Sequence, residues 1–235
     1  MHGAPDMSKS QHAAASASAA SASASSASAS ASASASASAS ASAASASASD
    51  LSRKDQSHLR IVKAASRLFR RHGQLATGID RVMSEAGLTH GGFYAHFRDK
   101  TVLFAEALDD AFDEAEANLL FRGLDALRGK AYVAAASKRY LAASHRNRPA
   151  EGCAIPTLGA EVARAPVNVR RRFTHRVEKI TGQIAERLDG PDAELRALNL
   201  LSLWVGTLIV GRNLPEKRAQ QLFDYTQKSA ERLAR

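Results

Sequence analysis

Between Thr77 and Lys100 the chain reads TGIDRVMSEAGLTHGGFYAHFRDK. Those residue types hold phosphates and touch base edges; they are not a bond-making set. Ile79, Val82, Met83 and Ala86 recur at i, i+3, i+4 and i+7, one apolar face of a short helix. Thr77 stands as its cap, with Asp80 three residues on in a capping-box arrangement. Gly87 ends the helix in a left-handed residue, Leu88 turns inward, and Thr89 opens a second helix. There Phe93 and Phe97, four apart, plug a core, which turns His90, Gly91, Tyr94 and the edge of His96 outward. Two adjacent glycines cost about 1 kcal/mol each relative to Ala inside a helix, so the pattern predicts a partner that needs close approach to backbone. A thin, Thr-capped first turn flanked by Tyr, His and Lys suits the major groove of DNA.

Such a reading head needs helices to hold it. Ile61, Ala64, Ala65, Leu68 and Phe69 form the stripe of a helix expected from about Asp55 to Arg71, stopped by His72-Gly73. A long helix starts near Asp99 as cap and carries Phe104, Leu108, Ala111, Phe112, Ala115 and Leu119 on one face, with acidic residues opposite. Further helices are expected at roughly 129–145, 153–164, 167–188, 192–211 and 215–234, each break between them holding Pro or Gly. Helix formers dominate and no alternating β-branched run suggests a sheet, so the fold class is all-α.

The chain has 235 residues and a net charge of +9. Residues 51–100 hold ten Lys/Arg against four Asp/Glu, whereas residues 101–235 hold twenty-one against seventeen. The surplus sits in the head, as a phosphate-binding module requires. Ala13 to Ser49 is almost pure Ala and Ser, too poor in apolar surface to offset ordering entropy, and disorder is expected there; it has neither the basic start nor the Leu-rich middle of a signal peptide. One cysteine, Cys153, leaves neither an intrachain disulfide nor a thiolate zinc cluster, which fits the reducing cytoplasm. The longest apolar run, Ala197 to Gly211, is interrupted by Asn199, Ser202 and Thr207 and falls short of a bilayer, so no membrane partner is expected.

The segments IVKAASRLFRRHG, TGIDRVMSEAG, LTHGGFYAHFRDK and TVLFAEAL resemble the tetracycline-repressor (TetR) family of bacterial transcription regulators, closely from Ile61 to Leu108. The resemblance implies a three-helix head with a helix-turn-helix, joined to a helical ligand-binding and dimerisation domain. It implies phosphate contacts from Thr77, Thr89, Tyr94, His96 and Lys100, and base-edge contacts from His90, Gly91 and Gly92. Gly78 stands where many members carry Ser or a longer polar side chain, which removes one contact. The expected division is a tail over 1–50, a DNA-binding domain over 51–101 and an effector-binding and dimerisation domain over 102–235.

In the body, Leu198, Val205, Leu208 and Ile209 on one helix and Leu222, Phe223 and Thr226 on the next are expected to form a homodimer interface. Phe112, Tyr140, Cys153, Phe173 and Trp204 are expected to surround a cavity for a small apolar or aromatic effector, with the Tyr140 hydroxyl orienting it. Cys153, His145, His175, Glu161 and Glu178 are the candidates for catalysis, yet no HExxH, Gly-rich phosphate loop or nucleophile elbow accompanies them, and neither metal nor cofactor is expected. Cys153 reads as a small buried hydrophobe, with pocket lining and a sensing thiol as the other readings. Arg170, Arg171 and Arg172 read as a solvated or salt-bridged face, a second nucleic-acid site being the alternative. The expected function is a cytoplasmic, homodimeric repressor released from a pseudo-palindromic double-stranded DNA operator by an effector. An effector-independent regulator or activator, and a thiol enzyme with a vestigial head, are the rivals.

Overall fold

Ser52 opens the first helix, its side chain accepting the Asp55 N–H at 3.2 Å, and twenty residues follow as α1 (Arg53–His72). The computed structural model describes residues 52–234; the Ala-Ser tract and its expected disorder lie outside them. After α1 come α2 (Ile79–Glu85), a 3-10 segment (His90–Ala95), α3 (Lys100–Ala115) running into a π turn (Glu116–Leu120), α4 (Gly129–Tyr140), α5 (Ala143–Asn147), α6 (Ile155–Val162), α7 (Val167–Ala185), α8 (Ala193–Arg212) and α9 (Glu216–Ala230). Among the described residues there is no strand, and the fold is all-α.

Two apolar cores share α3. Ile61, Leu68 and Phe69 of α1 meet Val82, Met83, Phe93, Phe97, Phe104 and Leu108, and Ala154, Leu158, Val162 and Val169 of α6 and α7 close that cluster from the far side. The second core gathers Phe112, Tyr132, Tyr140, Ile180, Ile184, Leu200, Trp204 and Phe223. The head thus completes its core with a wall taken from the body, and α3 passes from one cluster to the other between Ala111 and Phe112.

The helix expected over 129–145 is broken. It stops at Tyr140, and α5 restarts at Ala143 because a buried imidazole pulls the chain back on itself. His145 Nδ1 donates to the Tyr140 carbonyl at 2.7 Å, and Nε2 accepts the Cys153 N–H at 3.0 Å. One partner only accepts and the other only donates, so the ring is held neutral with its proton on Nδ1. Gly152 lies against that ring, and a Cβ there would come within 2.6 Å of Nε2. The Gly152 carbonyl accepts from Arg70 Nη1 of α1 at 2.7 Å, while Arg70 Nη2 meets Glu114 of α3 at 2.6 Å. The Arg70 side chain is fully buried, so these acceptors satisfy a charge that has left water.

At the C-terminal end α8 packs on α7 and α9. It is one continuous helix of 20 residues, with an 18-residue stretch of mean hydropathy 1.4, long and apolar enough by composition alone to cross a membrane, which corrects the shorter run read from the sequence. Part of that apolarity faces inward. Leu208, Phe223 and Thr226, expected between two copies, are instead buried within one chain: Leu208 and Phe223 belong to the second core, and the Thr226 hydroxyl pairs with Thr207 at 3.2 Å. A helical stripe reports which residues share a face, but not which neighbour covers it. Leu198 and Ile209 are exposed, Val205 and Leu222 half-buried.

The His145 contacts set a pH dependence. Burial lowers its pKa from 6.5 to about 4, outweighing the Tyr140 hydrogen bond that favours the charged form. Between those values the unfolded chain binds more protons than the folded one. The stability contributed by the neutral ring is therefore fully present above pH 6.5 and drains as pH falls toward 4, by up to about 3 kcal/mol. Urea unfolding of the wild type should show a midpoint that drops through this window. His145→Gln, less stable at pH 7, should lose that part of the slope.

Candidate nucleic-acid interface

The reading head is built on two aromatic anchors. Phe93 and Phe97 are buried and stack at 5.6 Å, and the His58 ring of α1 lies 4.5 Å from the Phe97 ring. His58 Nε2 meets Glu106 Oε2 of α3 at 2.6 Å, tying both long helices of the head to the back of the 3-10 segment. The turn before it follows from Gly87 at φ 67°. Leu88 N–H donates to the Met83 carbonyl at 2.9 Å and Gly87 N–H to that of Ser84 at 3.0 Å, the paired bonds that end a helix in a left-handed residue. Leu88 then packs against the head core.

The segment His90–Ala95 is a 3-10 turn, not the α-helix expected from the sequence. Its tighter winding keeps Phe93 inward and leaves Thr89, His90, Gly91, Tyr94 and Ala95 exposed, with Gly92 and His96 half-buried. Tyr94 is 64% exposed, a large aromatic ring left in water. A Cβ at Gly91 would meet nothing within 4 Å, and one at Gly92 would make only ordinary contact with Met83 and Thr89. The fold of this chain does not require either glycine. The space they keep open lies outside the protein.

Thr77 departs from its expected role. It is buried, and its hydroxyl donates to the Gly73 carbonyl at 2.7 Å, so it braces the turn after α1. The cap of α2 is Gly78, which has no side chain to bond the first turn. Asp80, read as part of a capping box, pairs with His90 Nδ1 across the turn and fixes the imidazole beside Tyr94. Sequence spacing does not reveal that pairing, because nine residues, a glycine turn among them, separate the partners.

Asp99 caps α3, its carboxylate accepting the Val102 N–H at 2.9 Å; this bond, and then the Arg98 guanidinium, hold its pKa below the usual carboxylate value. Lys100 therefore begins α3 at the positive end of the helix dipole, where a cation is unfavourable unless an anion joins it. Burial lowers the pKa of its ammonium, against the pull of Glu161 from α6. His96 carries a buried Nδ1 with no hydrogen-bond partner, and its pKa is lowered by burial and then by the nearby His58 and Lys54. Thr89, His90, Gly91, Gly92, Tyr94, His96 and Lys100 thus come together at one end of the head, and Thr77 stands behind them.

The five residues expected around an effector cavity are packed as core. Phe112, Tyr140, Cys153 and Trp204 are fully buried, and Phe173 is half-buried with its ring 5.5 Å from that of Phe112. Tyr140 stacks on Trp204 at 5.8 Å, and Trp204 Nε1 donates to Ser137 Oγ at 2.9 Å. Clefts open elsewhere, one of about 310 Å³ between Gln74, Thr101 and Arg164 among them. Side chains that could line a cavity fill it instead. Cys153 lacks a base, since both His145 nitrogens serve backbone groups, and burial pushes its thiol pKa up. Among the described residues no group of three or more His, Cys, Asp or Glu stands where it could hold a metal ion.

Residues 61–107 match the family of bacterial regulatory proteins, tetR family. The HTH-type transcriptional regulator YerO of Bacillus subtilis (strain 168) is 42% identical over 50 residues, which are 21% of this chain and 17% of that protein; the match spans less than a fifth of the relative's length. Among solved structures, a TetR-family transcriptional regulator from Cytophaga hutchinsonii has a TM-score of 0.68 at 19% identity, covering 79% of this chain and 96% of its own. AibR, in complex with isovaleryl coenzyme A and operator DNA, has a TM-score of 0.55 at 18% identity, covering 73% and 96%. The structural likenesses extend the same all-helical fold through the body, and the head carries the family's sequence pattern. The tetR-family match thus covers the head of this chain, and the likeness of the remainder to these structures is one of fold.

Proposed function

We propose that this regulator is a homodimeric repressor that binds a pseudo-palindromic operator through Thr89–Lys100 and leaves it when a small apolar or aromatic molecule enters the body. The observation that carries the DNA-binding part is the open space at Gly91, beside an exposed Tyr94 and a lysine at a helix start. Backbone can approach base edges there while Tyr94, His96 and Lys100 hold phosphates and His90 reads a base. Thr77 serves in this reading as a brace and touches no phosphate. A cytoplasmic location goes with a role on DNA.

Leu195, Leu198 and Ile209 leave apolar surface on the outer side of α8, with Leu195 at 68% exposed. A second copy that covers it would set two recognition segments about 34 to 36 Å apart, the spacing of successive major grooves. A ligand that favours another spacing lowers operator affinity by population shift. The Tyr140 hydroxyl, buried in the second core beside the Cys153 thiol, is a polar group that could orient a ligand there, and it supports an effector site in that core, which must open to admit one. The thiol-enzyme reading has no such support, because the thiol is buried and no base reaches it.

DNA binding, assembly and effector response are each open to test. Gly91→Ala should leave the melting temperature unchanged, since nothing in the chain meets the new methyl, yet weaken binding to a duplex selected from random-sequence DNA at least tenfold. Equal affinity of variant and wild type would remove the close-approach argument. Lys100→Ala should reduce the slope of log affinity against log salt by about 0.9 for each phosphate it no longer neutralises, while His90→Ala should shift which sequences are selected. For assembly, Leu198→Asp with Ile209→Asp should give folded monomers by light scattering that no longer bind the duplex. Wild type that is monomeric at micromolar concentration would refute the dimer. For the effector, a compound that raises the melting temperature should lower duplex affinity in parallel and do neither in Trp204→Ala.

A further inference from the structure

The basic run on α7 divides in a way its sequence hides. Arg172 pairs with Asp109 of α3 at 3.0 Å, and Arg176 meets both Asp113 and Glu116 at 2.5 Å. Those two cations are neutralised by the acidic face of α3. Arg164, Arg170, Arg171 and His175 are exposed and their side chains have no hydrogen-bond or ion-pair partner among the described residues, and no acid occurs in the sequence between Glu161 and Glu178. The α6–α7 corner therefore holds a positive charge that the fold does not use.

Its position is set by two clefts along one side of α3. The first joins Arg164 and Pro166 to Thr101 and to Gln74, whose N–H donates to Glu161 at 2.7 Å. The second joins Asn168, Arg171 and His175 to Ala105. Thr101 and Ala105 are four apart on one helical face, so the clefts follow each other within about 6 Å of rise. Lys100 stands one residue before Thr101, about 100° round the helix from that face, and close enough to Glu161, which lines the first cleft, to feel its charge. Lys100, Arg164 and Arg171 thus form a cationic band that begins at the reading head and continues onto the body.

We propose that Arg164 and Arg171 are DNA-backbone contacts supplied by the body, extending the phosphate track beyond Lys100. This rests on the reading of Thr89–Lys100 as the DNA-binding face. DNA carries a line of phosphates past any docked head, and a band of unpaired guanidiniums running away from Lys100 complements it in charge. Arg171 shares its face with Asn168 and His175, which widen the same surface.

The test uses the full chain and a duplex selected from random-sequence DNA by the wild type. Arg164→Ala with Arg171→Ala should leave the melting temperature unchanged and reduce the salt slope by about 0.9 for each phosphate left without its arginine, without changing the sequences selected. Arg164→Lys with Arg171→Lys should restore the slope, and Arg218→Ala with Lys228→Ala on α9 should not alter it. A double-alanine variant that keeps wild-type slope and affinity overturns this proposal and leaves the DNA-binding reading standing. A slope that falls equally in the α9 control overturns it too, since any surface cation would then suffice. Wild type that enriches no duplex overturns the DNA-binding reading, and this proposal with it.

Discussion

A guanidinium without access to water has to be met by acceptors, and Arg70 takes its acceptors from three parts of the chain. Ser66 is on its own helix, Glu114 on α3, and the Gly152 carbonyl on the loop that enters α6. Removing any one would leave a buried charge undercompensated, which costs several kcal/mol, so the three parts are held in one arrangement. Gly152 can stand there only because it has no side chain to meet the His145 ring. His145 in turn fixes where α4 ends and where Cys153 begins the approach to α6. The contact between head and body is thus a consequence of satisfying one charge, and the α6 wall that closes the head core follows from it.

With its back held in this way, the head can expose a surface that would otherwise be poorly ordered. A 3-10 turn with two glycines has little intrinsic stability, yet it is pinned by Phe93 and Phe97 below, His58 and Glu106 behind, and the Asp80–His90 pair at its front. Rigid support behind a thin outer face lets backbone come near a partner without the segment losing its shape. The same logic applies to Lys100, placed at the positive end of α3 by the Asp99 cap.

The body shows the opposite balance, with a core that is full. Tyr140, Trp204 and Cys153 pack together, with the Tyr140 hydroxyl buried beside the thiol. Entry of a ligand there requires side chains to move, and movement near His145 lies one hydrogen bond from the Gly152 carbonyl that holds Arg70. The outer side of α8 remains an apolar surface that the single chain does not cover.

Residue spacing alone was enough for the helices with strong apolar periodicity, the Schellman turn at Gly87, and the inward and outward sides of the reading segment. Each depends on neighbours within about four residues, and local spacing reports that range. It also carried the family pattern of residues 61–107. Contacts between residues far apart in the chain became legible only in the folded protein. Thr77 looked like a cap and is a brace, because Gly73 curls back to its hydroxyl. The helix over 129–145 looked continuous and breaks, because His145 finds two backbone partners in the folded chain. Leu208, Phe223 and Thr226 shared stripes with exposed residues and proved to be interior, because periodicity names a face while packing chooses what lies against it. Arg170, Arg171 and Arg172 of α7 read alike until α3 was placed beside them; then Arg172 found a carboxylate and the other two did not, a distinction that depends on the position of Asp109 in space.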